Sequence, residues 1–177
     1  MLCFHPSYLL TVAPFSLMTN LLNNIQIIDY QPIHLERWKE INEEWIKKSY
    51  FMEEIDHLHC SQPEQSILAG GGAILLAQMN GEIAGTAGLI KDDEHTFELV
   101  KMAVDERFRG HGIGKILCEA AIERSRQAGV KLLYLFSNTK GSETAIQIYR
   151  KLGFVEVPLD RNDFVRADIR MEMRFSD

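Results

Sequence analysis

The chain has 177 residues, of which 46% are hydrophobic and 25% charged, proportions of one globular domain rather than of a disordered, collagen-like or coiled-coil chain. Its 19 Lys and Arg against 25 Asp and Glu leave a formal net charge of −6, which argues against nonspecific nucleic-acid binding as the main task. No apolar run approaches the roughly 20 residues that a membrane span needs.

Met1 to Leu17 carries no Lys or Arg, and Pro6 and Pro14 interrupt its apolar stretch, so it does not read as a secretion signal. Met18 reads as an alternative start. The leader 1–17 is then expected to be foreign to the native protein or poorly ordered, with one domain over 24–175. The three cysteines, Cys3, Cys60 and Cys118, are scattered and form no CxxC. Neither a disulfide framework nor a zinc ribbon is expected, and a reducing cytoplasm is the natural compartment.

From Asn24 onward the pattern is regular. Ile25 to Tyr30 predicts a short strand ending before Pro32. Leu35, Trp38, Ile41 and Trp45 then share one helical face, which reads as core. Pro63 suits the first turn of a further helix, closed by Gly70-Gly71-Gly72. Ala73–Met79 and Glu82–Ile90 flank Asn80-Gly81, the signature of a two-residue hairpin turn. Phe97–Val104 is a strand, and a stripe of Ile113, Ile116, Leu117 and Ala120 is a helix ending near Gly129. The continuous apolar run Leu132–Phe136 suits a strand covered on both faces. Ala145, Ile148, Tyr149 and Leu152 make an amphipathic helix stopped by Gly153, and Phe154–Val157 and Phe164–Met173 complete the strands. This order gives one α/β domain with a mixed sheet.

The segment Arg107-Phe108-Arg109-Gly110-His111-Gly112-Ile113-Gly114-Lys115 joins a strand to a helix. Glycines let backbone N–H groups crowd round an anion, and the helix N-terminus adds partial positive charge. A pyrophosphate fits such a turn; a loop that merely reverses the chain is the bland alternative. Ile116 follows Lys115, so the P-loop signature fails, and Lys115 stands where a dinucleotide fingerprint wants a small residue.

Arg109-Gly-His-Gly112-Ile-Gly114 resembles the R/Q-x-x-G-x-G/A motif of the GNAT N-acetyltransferase superfamily, which binds acetyl-CoA. Glu98–Val104 is similar to that family's fourth strand, and Ala145-Ile-Gln-Ile-Tyr149-Arg-Lys-Leu-Gly153-Phe154 to its A-x-x-x-Y-x-x-x-G-F helix. The resemblance covers Ile25 to Met173. It implies a mostly antiparallel sheet of six to seven strands, flanked by about four helices, with the fourth and fifth strands splayed. It implies that Arg109, Gly110, His111, Gly112, Ile113, Gly114 and Lys115 face the CoA pyrophosphate. It further implies that the main chain of Met102, Ala103 and Val104 pairs with the pantetheine arm, and that Asn138 and Ala145 border the cofactor. The implied activity is direct transfer of an acetyl group to a primary amine of a small molecule or peptide. A homodimer would be in keeping with the family, where dimers are common.

Amines carry a pKa near 10.4, so a base must take a proton before attack, and the leaving thiolate gains from a proton donor. By the resemblance Tyr149 is the general acid and Glu98 the base. The bland readings are a core tyrosine and a strand-end carboxylate. Glu53, Glu54, Asp56, His57 and His59 border the acceptor region of the family, but a solvated surface is the favoured reading. No metal is expected, although His57, His59 and Cys60 lie close in sequence. Arg166, Asp168, Arg170 and Glu172 read as a solvated strand face. Cys118 lacks an obvious base and reads as a small buried hydrophobe. The competing class is a catalytically weak acyl-CoA-binding or sensing module on the same fold.

Overall fold

The computed structural model describes residues 24–159 and 165–176. The leader, the Met18 start and Phe164 lie outside the described residues. Seven strands form one sheet: β1 (Ile25–Asp29), β2 (Ala73–Met79), β3 (Glu82–Lys91), β4 (Thr96–Val104), β5 (Leu132–Ser137), β6 (Val155–Val157) and β7 (Ile169–Arg174). Their spatial order is β1-β2-β3-β4-β5-β7-β6, and every pairing is antiparallel except β4 with β5. The helices are α1 (Leu35–Ser49), α2 (Glu54–Ser61), α3 (Ile113–Gln127) and α4 (Glu143–Leu152), with a π-helical turn at Glu64–Leu68. Asn80 and Gly81 both adopt positive φ, the backbone that a two-residue hairpin turn requires.

Both faces of the sheet are covered. On one side Leu75, Leu89 and Leu99 pack against Leu117 and Cys118 of α3 and Tyr149 of α4. On the other, Leu76 and Val100 meet Trp38 and Ile41 of α1 and Ile67 of the π-helical turn. Each fully buried large side chain contributes about 2–3 kcal/mol of transfer free energy. Trp38 also donates from Nε1 to the His59 carbonyl at 3.0 Å, which ties α1 to α2.

Two expectations need correcting. Trp45 sits at the edge of the core rather than inside it: Ile46 takes the fully buried place, while Trp45 is half-buried, packs against the α1-side cluster and lines a cleft. Helical periodicity alone cannot tell two adjacent edge positions apart. The last strand begins at Ile169, because residues 165 and 166 form a turn whose Arg166 reaches across to α2.

Candidate active site

β4 and β5 register only at Thr96↔Leu132, Phe97↔Leu133 and Glu98↔Tyr134. Beyond that pair the two strands separate, β4 staying with β3 and β5 with β7. The facing edges past Glu98 therefore carry backbone groups not used in pairing with each other, which is a ready template for an extended ligand. β4 is also bulged: its register against β3 shifts between Thr86 and Gly88, and Lys101 takes a φ of +52°. The bulge turns Lys101 away from the strand's alternation and into the protein.

A cleft of about 600 Å³ occupies this gap. Of the sequence-predicted site residues, Glu98, Met102, Ala103, Val104, Arg109, Gly110, Gly112, Ile113, Gly114, Lys115, Asn138, Ala145 and Tyr149 all line it. His111 does not. Its ring folds back so that Nδ1 lies 3.2 Å and 3.1 Å from the carbonyls of Phe108 and Arg109.

The loop that opens α3 is held from behind. Asp105 accepts from the Arg107 amide at 2.8 Å and bonds Arg37 of α1. Burial works to raise the Asp105 carboxyl, but the hydrogen bonds from Arg107 and Arg37 outweigh it and hold it at about 2. Gly110 and Gly112 take φ of +84° and +78°, conformations that a residue with a Cβ rarely adopts. Gly112 caps α3, so the first-turn amides after it have no intrahelical acceptor and face the cleft. The local basic charge is largely matched: Arg109 pairs with Glu106 at 3.0 Å, Lys115 with Glu119 at 3.3 Å, and Arg107 with Asp105. The loop's pull on an anion thus comes mainly from oriented amides and the helix end.

The two candidate acid–base residues approach from opposite sides. Glu98 shares the α1 side of β4 with Val100, whereas Tyr149 projects from α4 into the core on the other side. Both reach the cleft because the separated strands open a passage through the sheet. Burial pushes the Tyr149 phenol well above its ordinary range, so it holds its proton at neutral pH. Its ring packs on Phe154 with centroids 5.7 Å apart. Asn138 donates to the Arg166 carbonyl and accepts from the Lys140 amide at 3.0 Å, bracing the loop after β5.

Beyond the gap lies an ionic cluster: of the stretch expected to be solvated, Glu54 and His57 are exposed, but Asp56 and His59 are buried. Asp56 is fully buried, 2.7 Å from Lys101 Nζ and 2.7 Å from Arg166 Nη1. Glu53 joins Arg166, accepting from its amide at 3.1 Å. Burial works to raise the Asp56 carboxyl, and the Arg166 hydrogen bonds with the Lys101 charge bring it down to about 2. His59 is buried too; burial first, then the charge of Lys101, lowers it to about 4. Arg166 stacks on Tyr50 at 5.3 Å and lines the cleft with Trp45 and Phe136. Arg170 and Glu172 are not a solvated face either: Glu172 is buried, and Arg170 lies over Tyr134 at 4.6 Å. The sequence signal for this cluster is Lys101, a charge at a position of β4 where the alternation Phe97, Leu99, Ala103 calls for an apolar residue.

Cys60 and Cys118 are buried free thiols outside the cleft. Burial pushes them up to about 11 and about 12, so neither offers a thiolate near neutral pH.

A strand–loop–helix anion cradle beside a split parallel pair is the architecture of an acyl-CoA-using transferase. Residues 31–154 match the model of the acetyltransferase (GNAT) family, and the chain belongs to that family. It is similar to the uncharacterized N-acetyltransferase YvbK of Bacillus subtilis, 27% identical over 142 residues, which is 78% of this chain and 85% of that protein. Its fold superimposes on a GNAT-family acetyltransferase from Staphylococcus aureus Mu50 with a TM-score of 0.75 at 26% identity, covering 85% of this chain and 98% of the other. The protein yncA of Salmonella typhimurium, solved with its cofactor acetyl-CoA, shares the fold at a TM-score of 0.66 and 18% identity, over 87% and 95% of the two chains. The chain is an acyltransferase. Among the described residues no helix is long and apolar enough to cross a membrane.

Proposed function

We propose that this chain moves an acetyl group from acetyl-CoA directly to a primary amine of a small molecule or peptide in the cytoplasm. One observation carries the reading: a single cleft joins the amide cradle of α3, the open edge of β4, Glu98 on one side of the sheet and Tyr149 on the other.

Acetyl-CoA supplies the thioester whose carbonyl the amine attacks. The first-turn amides of α3 and the loop Arg109–Gly112 hold its pyrophosphate, and the β4 edge at Met102–Val104 hydrogen-bonds its arm. Glu98 takes a proton from the acceptor ammonium, leaving a neutral amine to attack. Backbone N–H groups beside the bulge stabilise the charge that develops on the carbonyl oxygen. Tyr149 gives its proton to the departing sulfur as the C–S bond breaks, and the second proton shed by the new amide nitrogen restores the phenol. Protonated Cys60 and Cys118, both away from the cleft, support direct transfer over an acyl-cysteine route.

The test is thiol release from acetyl-CoA with polyamines, amino acids, aminoglycosides and peptide N-termini. Turnover with one class and intersecting double-reciprocal kinetics are expected. Acetyl-CoA binding without turnover across the whole panel would return the chain to the sensing reading.

A further inference from the structure

Glu98 is buried beside Tyr134, its registered partner at the last rung before β4 and β5 part. The Tyr134 hydroxyl stands between two carboxylates. It lies 2.5 Å from Asp92 Oδ2 and 3.5 Å from Glu98 Oε2, so its hydrogen is given to Asp92 and reaches Glu98 only weakly. Asp92 sits in the exposed turn between β3 and β4, where its amide donates to the Thr96 carbonyl at 3.0 Å. Burial, then the Glu98 charge and the Asp92 hydrogen bond, push the Tyr134 phenol far above its ordinary range, so it remains a donor. Arg170 of β7 clamps the ring from above at 4.6 Å, and its charge is answered by Glu172 at 2.9 Å. In the same turn Asp93 is engaged by the His95 amide, and on the cleft side Lys101 and Arg166 are matched by Asp56 and Glu53.

We propose that Tyr134 and Asp92 set the proton affinity of Glu98. Asp92 draws the Tyr134 hydrogen away from the Glu98 carboxylate and adds a negative charge nearby. Glu98 is thereby a stronger base than it would be with a full hydrogen bond from Tyr134. Tyr134 and Asp92 are positioning residues, and the inference rests on Glu98 being the base.

The two substitutions push in opposite directions. In Asp92→Asn the strongest competitor for the hydroxyl hydrogen loses its charge, Tyr134 turns to Glu98, and the carboxylate is favoured. In Tyr134→Phe the donor is gone, while Asp92 and the clamped ring stay. The measurement is a 13C-carboxyl NMR titration of protein labelled in glutamate, with the Glu98 signal assigned from Glu98→Gln. The Glu98 midpoint is expected to fall by about half to one pH unit in Asp92→Asn and to rise by a smaller step, about 0.3 to 0.5 unit, in Tyr134→Phe, which removes only the weak bond. Calorimetry with acetyl-CoA should show unchanged affinity in both, as required of folded variants with an intact cradle. Midpoints that move together, or stay within about 0.2 unit of the parent, overturn the proposal. Thiol release with the best amine of the panel separates the two levels. Activity lost in Glu98→Gln supports Glu98 as base, whereas parental turnover in Glu98→Gln removes the base and the tuning with it, whatever the titrations show.

Discussion

Tyr149 has the plainest division of labour in the cleft. Its ring is part of the core, packed on Phe154, while its hydroxyl end belongs to the cleft wall. A buried, protonated phenol with no charged partner among the described residues can give a proton to a leaving thiolate, but contributes little to holding a cofactor. Tyr149→Phe keeps the ring and its packing. It should lower kcat by roughly 10²-fold and leave acetyl-CoA affinity, read by calorimetry, within about twofold. Unchanged turnover would remove Tyr149 from the mechanism and leave it a core residue. Arg109 presents the opposite case: its guanidinium is already paired with Glu106, so its substitution should weaken acetyl-CoA binding less than a change in the glycines beside it.

Those glycines act through the elements they join. Gly112 sits at positive φ, and a Cβ there would meet no protein atom. The cost of Gly112→Ala is left-handed strain of about 1–2 kcal/mol, together with a methyl group standing in the anion cradle. Gly114 already lies in the first turn of α3, and its Cβ would point toward Ile148 at 3.4 Å and Val104 at 3.7 Å, beneath the helix rather than into the cradle. Gly112→Ala is therefore expected to raise the acetyl-CoA Kd by about tenfold and to lower the melting temperature. Gly114→Ala should bind within about threefold of the parent and melt no lower, since Ala favours helix. Equal losses at the two positions would contradict this assignment. The glycine turn before α3 and the A-x-x-x-Y-x-x-x-G-F helix were legible because they are local, each read within about ten residues. The Asn80-Gly81 hairpin and the stop at Gly153 were legible for the same reason. The ionic cluster across the gap is built from contacts of long sequence separation, Asp56 with Arg166 and Lys101 with Asp56. Spacing along the chain says nothing of these. Only the break in the alternation of β4 at Lys101 hinted that a charge was turned inward there.

That inward cluster decides how the whole molecule responds to acid. Asp56 joins α2, the bulge of β4 and the turn before β7 in one buried knot, and His59 lies buried beside it with Nδ1 unpaired among the described residues. The neutral imidazole is the form that the fold accepts. His59 is lowered from its ordinary value to about 4 in the folded protein, so the unfolded chain takes up a proton first as pH falls. Its contribution is fully present above the unfolded value near 6.5 and is lost as pH falls toward 4, an amount on the order of 3 kcal/mol. Asp56 is lowered too, but to about 2. Its contribution is full above the unfolded carboxylate value near 3.9 and disappears only between there and about pH 2. The two windows barely overlap, so urea unfolding between pH 7 and pH 4.5 should report His59 almost alone. Stability is expected to fall steadily across that range. His59→Gln removes the titration and should flatten the slope while lowering the plateau. Asp56→Asn should leave that slope in place but cost about 3–5 kcal/mol at every pH above 4, because the buried charge that Lys101 and Arg166 share is removed. A slope that survives His59→Gln would move the acid sensitivity to another group and separate it from the knot around Asp56.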